Sequence, residues 1–178
     1  MMMGALAAGG LDAAYDPAWD DVAKTRGIPD QNPAGFFELS IEMQSDPSFP
    51  TALQGRTFKV QHTQLPGLAP GNYRVIAMLR DPSEIRASYR KMGPASEAAF
   101  IHWNTDADYF RLMARFYGAA RQRLDMEVID VNYADVLASP DRTFSYLRDA
   151  GVPIDVVRAA ATIRDDLYRN RAKTGAAS

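Results

Sequence analysis

Cysteine is absent from all 178 residues, which excludes a disulfide scaffold, a thiolate-ligated zinc or iron–sulfur site and a cysteine nucleophile. Histidine is scarce: His62 and His102 are the only two, too few for a His-rich metal centre, and no metal is implied. No apolar run approaches the roughly 18–20 residues of a membrane span. Residues 1–11 lack the basic start and the length of a secretory leader, so the expected compartment is the cytoplasm, away from membranes. A basic surplus is missing too. The formal net charge is −2, whereas a domain that grips a nucleic-acid backbone normally carries clustered positive charge, so no nucleic-acid partner is expected. What remains is ordinary for a globular chain, 47% apolar and 24% charged, with no internal repeat and no low-complexity segment. The length suits a single domain spanning residues 1–178 around one core.

Charge is unevenly spread. Residues 1–50 hold eight acids against Lys24 and Arg26, a balance of −6 that leaves the rest at +4, so a small anionic ligand is expected in the second part. Solvated faces of ordinary composition account for the same numbers. Residues 1–8 read as helix, stopped by Gly9 and Gly10. Residues 12–35, with three prolines and two glycines, read as a long irregular connection with one helical turn around 18–25, and residues 36–43 as an amphipathic stretch. Residues 57–60 and 73–79 are β-prone; the second run is apolar on both faces after Arg74, as in a buried parallel strand. Asp81-Pro82-Ser83-Glu84 then combines an acidic N-cap, proline at the first helical position and glutamate at the third, and predicts a helix with Ile85, Tyr89 and Met92 inward. Thr105 to Asp108 is a second capping box, opening a helix whose inward stripe is Tyr109, Leu112, Met113, Phe116, Tyr117, Ala120 and Leu124. A strand over 127–131, a helix from Ser139-Pro140 to Gly151 and a last helix from Asp155 toward Tyr168 complete the pattern. Strands alternating with helices indicate βαβ units and an α/β layer architecture.

Ligands of open α/β sheets bind beyond the carboxyl ends of the strands, and three such places qualify. At Arg80-Asp81-Pro82 a guanidinium lies beside a helix N-terminus, a combination suited to phosphate, with Ser88 nearly two turns further on. The plainer alternative pairs Arg80 with Asp81 or a neighbouring carboxylate and makes Ser88 a packing residue. Lys59 and His62 follow the 57–60 run, as a possible cation and base or as a solvated lysine and surface histidine. Tyr133 and Asp135 follow the late strand, where such residues commonly brace a turn. Arg111, Arg115, Arg121 and Arg123 read as a solvated helix face, and Asp16, Asp20 and Asp21 lack the glycine-turned pattern of a calcium loop.

The run from Tyr73 to Lys91, with its Arg80-Asp-Pro turn and a serine eight residues after Arg80, closely resembles the strand-and-helix motif of sulfotransferases. In that family it holds the 3′-phosphate of 3′-phosphoadenosine 5′-phosphosulfate. Lys59 to Pro66 is similar to the preceding strand, Val131 to Pro140 to the Tyr-x-Asp-x-Leu-x-x-Pro segment, and Leu167-Tyr-Arg-Asn-Arg171 to a common ending of small bacterial members. Asn32-Pro-Ala-Gly-Phe-Phe-Glu38 resembles the Asn-Pro-x-Gly-Tyr-Phe-Glu run of the same proteins. The resemblance covers most of the chain and rests on the order of five modest motifs. It implies a P-loop-NTPase-like, three-layer α/β sandwich with a mainly parallel sheet. It also implies that Arg80 and Ser88 bind the 3′-phosphate, that Lys59 serves the bridging or leaving oxygen, and that Glu38 or His62 is the base. Glu38 ranks first because His62 departs from the family's Lys-Thr-His-Leu-Pro spacing and Phe36 and Phe37 adjoin Glu38.

One family feature is missing from the sequence. The glycine-rich Gly-x-x-Arg-Ser-Gly-Thr loop that cradles the 5′-phosphosulfate does not occur, and residues 1–11 are similar to the middle of the helix that follows it in the family. The expectation is a sheet without its first strand, by truncation in preference to evolutionary loss of the donor site. The function implied is transfer of a sulfuryl group from the nucleotide to a hydroxyl or amine of a small-molecule or glycan acceptor. The alternative is a non-catalytic binding module that keeps the 3′-phosphate half-site or only the fold. Strand edges left unpaired would favour a homo-oligomer.

Overall fold

The computed structural model describes residues 1–18, 37, 39, 46, 48–92 and 103–164. The expected turn around 18–25, the stretch 36–43, Glu38 and Leu167 to Arg171 lie wholly or largely outside the described residues.

The protein is mixed α/β. Its sheet consists, among the described residues, of two parallel strands, β1 (Tyr73–Leu79) and β2 (Met126–Asn132), in register from Tyr73 opposite Met126 to Leu79 opposite Asn132. Both lie where the hydrophobic runs place them. The run at 57–60 does not become a strand of this sheet; Thr57 forms an isolated parallel bridge with Ala13. Ahead of β1 lie α1 (Met2–Ala8), the short helix α2 (Phe49–Ala52) and a 3-10 turn (His62–Gly67). The crossover from β1 to β2 carries α3 (Pro82–Met92) and α4 (Asp106–Gln122). After β2 come α5 (Tyr133–Ala138), α6 (Pro140–Asp149) and α7 (Val156–Ala160).

Side chains alternate across the sheet as the pleat requires, and each face finds its own cover. On one face Ile129 and Val131 pack with Leu6 of α1, Val136 of α5, Phe144 and Leu147 of α6 and Ala159 of α7. On the other, Met126, Val128, Tyr73 and Val75 meet Ala120 of α4 together with Phe49, Leu53, Leu65 and Leu68. Trp103, Tyr109 and Met113 form a third cluster, with Ile85 of α3 against it. Gly9 is a packing requirement as well as a helix stop: a Cβ there would sit 2.5 Å from Cγ1 of Ile154.

The second capping box forms as read. Thr105 Oγ1 accepts from the Asp108 N–H at 3.2 Å while Asp108 Oδ2 accepts from the Thr105 N–H at 3.0 Å. The inward stripe of α4 ends sooner than expected. Leu124 has a relative exposure of 106% because the helix stops at Gln122 and Arg123 turns away to bind carbonyls of the 65–69 segment. The last helix is also shorter, ending at Ala160, with residues 161–164 non-helical.

Candidate functional site

Because Leu79 lies opposite Asn132, the residues that follow the two strands, Arg80 and Tyr133, emerge side by side at the carboxyl end of the sheet. Arg80 Cζ stands 4.5 Å from the centre of the Tyr133 ring, a cation–π contact. Its Nε donates to Glu84 Oε2 at 3.0 Å. Glu84 is one turn into α3, and its side chain is only 5% exposed against 22% for Arg80. A carboxylate that deep is tolerated because a guanidinium meets it. Asp81 begins the helix, its Oδ1 accepting from the Ser83 N–H at 2.8 Å and from the Ser83 hydroxyl. The Ser83 hydroxyl holds the Asp81 carboxyl below the usual carboxylate range.

Two tyrosines complete the surroundings. Burial raises the Tyr133 phenol above its ordinary pKa, opposed by the charge of Arg80. Burial raises Tyr109 as well, opposed by hydrogen bonding to the Arg80 backbone. Tyr109 stacks on Trp103 at 5.0 Å, and Arg86 reaches the Trp103 carbonyl at 3.2 Å. Arg80 therefore sits in a cluster of Glu84, Tyr109 and Tyr133. Glu84, read from sequence as a capping residue, is the acidic partner of Arg80. The i to i+4 spacing from the strand-to-helix junction into the first turn of α3 was the available signal for that pairing. The contact between Arg80 and Tyr133 depends on strand register, which no local pattern reveals.

The other sequence-selected residues lie elsewhere or apart. Ser88 is half-buried on α3, and its hydroxyl makes no hydrogen bond among the described residues. Lys59 lies close enough to the Met1 amino group for its charge to lower the pKa of that amine, behind the larger effect of burial. His62 opens the 3-10 turn, with its ring edge-to-face on Phe116 of α4 at 5.4 Å. Glu38 lies outside the described residues. Asp135 accepts from the Asn132 side chain at 3.0 Å, the turn-bracing role anticipated for it.

The arginines of α4 depart from a uniformly solvated face. Arg111 pairs with Asp108 at 2.7 Å and Arg115 stands over the Phe116 ring. Arg121 grips Asp130 of β2 through both carboxylate oxygens. Arg123 binds Asp125 through two nitrogens, at 2.9 and 2.7 Å, and donates to the Leu68 carbonyl at 2.7 Å. Asp125 in turn accepts from the Gly71 N–H at 2.9 Å, so this pair fastens the loop that leads into β1.

Two clefts include none of Arg80, Glu84, Tyr109 and Tyr133 in their lining. One, of about 370 Å³, opens at the amino ends of the strands beside Tyr73 and Leu124. The other, of about 350 Å³, follows β2 along Asp130, Val131 and Asn132 and is walled by Arg142 and Tyr146. Among the described residues no group of three or more His, Asp or Glu side chains is arranged to hold a metal ion, and no helix is long and apolar enough to cross a membrane.

Compared with family models, curated proteins and solved structures, the chain matches none.

Proposed function

We propose that the protein is a sulfotransferase-like nucleotide-binding domain in which Arg80 contacts the 3′-phosphate of 3′-phosphoadenosine 5′-phosphosulfate. The observation that carries this reading is the placement of Arg80 just beyond the carboxyl end of a parallel strand, beside the start of α3 and flanked by the ring of Tyr133, which opens α5 directly after the neighbouring strand. On this reading the fold is a P-loop-NTPase-like sandwich. Ser88, on the same helix, is the second ligand of the 3′-phosphate. In the reaction an acceptor oxygen or nitrogen forms a bond to sulfur, the sulfur–oxygen bond to the 5′-phosphate breaks, and that phosphate leaves with the bonding electrons. The acceptor proton goes to Glu38 or, as second choice, His62, and Lys59 offsets charge on the leaving oxygen. On this reading Arg80 and Ser88 meet the 3′-phosphate end of the donor; the sequence has no glycine-rich cradle for its phosphosulfate end.

The buried contact of Arg80 with Glu84 favours a second reading, a module in which the cluster is chiefly a brace. Calorimetry with adenosine 3′,5′-bisphosphate and adenosine 5′-monophosphate separates the two. A 3′-phosphate site gives the bisphosphate at least about tenfold tighter binding, the worth of one charge-assisted contact. Arg80→Lys, which keeps charge but loses the planar fork, then removes most of that preference. Equal affinities, or a preference that survives Arg80→Lys, refute the assignment. In a variant supplied with the family's strand and glycine-rich loop ahead of residue 1, labelled-donor assays address the base: Glu38→Gln should lower turnover by roughly 10²-fold or more with donor affinity unchanged, and a larger loss from His62→Ala reverses the ranking.

A further inference from the structure

The outer edge of β2 is built to receive another strand. The Tyr73 N–H donates to the Asp125 carbonyl at 2.8 Å, and the parallel register carries this pattern along the pair. Residues 125, 127, 129 and 131 therefore bond to β1, whereas Val128, Asp130 and Asn132 turn their main-chain N–H groups the other way. Among the described residues no strand pairs with that side. Among the described residues, Met126 alone of the outward N–H groups is engaged there, by the Arg123 carbonyl at 3.3 Å. The usual devices that blunt an edge, proline and lysine, do not occur in β2. The cleft of about 350 Å³ runs along Asp130, Val131 and Asn132, and none of its lining comes from β1. In its wall Arg142 makes no hydrogen bond or ion pair among the described residues, and Tyr146 is 51% exposed.

We propose that this edge pairs with the same edge of a second copy of the chain, antiparallel and centred on Ile129, to give a continuous sheet across the two-fold axis. Register selects this arrangement. Outward-facing residues must oppose outward-facing residues, which allows centres on Val128, Ile129 or Asp130. Centring on Asp130 sets that carboxylate against its own copy, and centring on Val128 shortens the overlap. Centring on Ile129 overlaps all of β2, lets Val128 and the second copy's Asp130 exchange both main-chain bonds, and brings the Asn132 N–H to the second copy's Met126 carbonyl. It also places the second copy's Glu127 opposite Val131. Directly opposed residues share a face, and Val131 faces α6, the helix that carries Arg142. The unpaired guanidinium in the cleft wall thereby gains an acidic partner, once on each side of the axis. Glu127 is already held by Arg74 at 2.9 Å, an exposed pair at the sheet margin. This inference uses no residue of the Arg80 cluster and does not require nucleotide binding.

Sedimentation of the full chain between about 1 and 200 µM tests it, since a contact of this size is expected to be weak, with micromolar dissociation. A monomer–dimer equilibrium is the expected result, and a monomer throughout overturns the proposal. Arg142→Glu, at an exposed helix position, should weaken dimerisation about tenfold or more by setting two acids together; wild-type dimerisation in that variant overturns the charge pairing. Asn132→Pro removes one outward N–H at a residue whose φ of −77° proline accepts, and should weaken the dimer while the melting transition is kept. Hydrogen exchange of the unmutated chain supplies a reading free of folding effects. Amides of Val128, Asp130 and Asn132 should slow as concentration rises, and a dimer that leaves them unchanged uses another surface and overturns the proposal.

Discussion

Removing the guanidinium of Arg80 should cost far more than removing most surface charges, because of what it leaves behind. Glu84 is 5% exposed, and in Arg80→Ala its carboxylate loses the Nε donor at 3.0 Å without gaining access to water. Breaking a buried pair by deleting one partner typically costs about 3–5 kcal/mol. With Arg80 itself 22% exposed, the lower figure, about 3 kcal/mol, is the fitting one. For a chain of this size that lowers Tm by about 6–12 °C. Part of the loss is the packed Tyr133 ring, which Arg80→Met would largely retain. The decisive variant is therefore Arg80→Met combined with Glu84→Leu. Replacing both members of a buried pair by apolar groups is near neutral, so the double variant should melt within about 4 °C of the parent. Thermal and urea unfolding of the three proteins, followed by far-UV circular dichroism, give the comparison. Arg80→Ala melting within about 2 °C of the parent, or a double variant no better than the single one, would refute the buried-pair reasoning.

Two further outcomes follow from burial and from the Arg123–Asp125 brace. Phe144→Ala, at a side chain with no exposed surface, should lose about 3–5 kcal/mol in urea unfolding, whereas Leu124→Ala, fully exposed beyond the end of α4, should stay within about 0.5 kcal/mol. Asp125 is held well below the usual carboxylate range, first by the Arg123 hydrogen bonds and then by the Gly71 N–H. A depressed native pKa stabilises the fold fully above the ordinary carboxylate value of about 3.9 and ceases to do so as pH falls through the native one. The pH profile of unfolding should accordingly show Asp125→Asn less stable than the parent at pH 7, with the gap closing only in strong acid; a gap constant down to low pH would refute the pairing.

The parts of the fold that were legible in the sequence are those dictated locally. The run 73–79 is β-prone and apolar on both faces, and both faces of the sheet are covered by helices. Thr105 and Asp108 satisfy each other's backbone, so α4 begins where the capping pattern places it. The failures have a common cause, competition from distant partners. Leu124 continues the apolar periodicity of α4, but Arg123 is drawn off by Asp125 and by carbonyls more than fifty residues earlier, and the helix ends before Leu124 can pack. Residues 57–60 have strand propensity but join neither β1 nor β2, and Thr57 bridges Ala13 instead, since propensity does not choose the neighbour. The site divides along the same line. Arg80 at a strand-to-helix junction is visible as sequence, and so is Glu84, four residues on. That Glu84 is buried, and that Tyr133 lies against the guanidinium, follows only from β1 and β2 ending level with each other. The same level ending constrains what the site can do. An anion arriving at Arg80 meets a guanidinium already shared with a carboxylate, so it must add to that contact or displace Glu84 into a place with little water. Glu84→Gln removes the competing charge while keeping a hydrogen-bond acceptor of the same size for Arg80. If the cluster is an anion site, that variant binds adenosine 3′,5′-bisphosphate more tightly than the parent; if it is a brace alone, the substitution changes stability and leaves nucleotide affinity where it was.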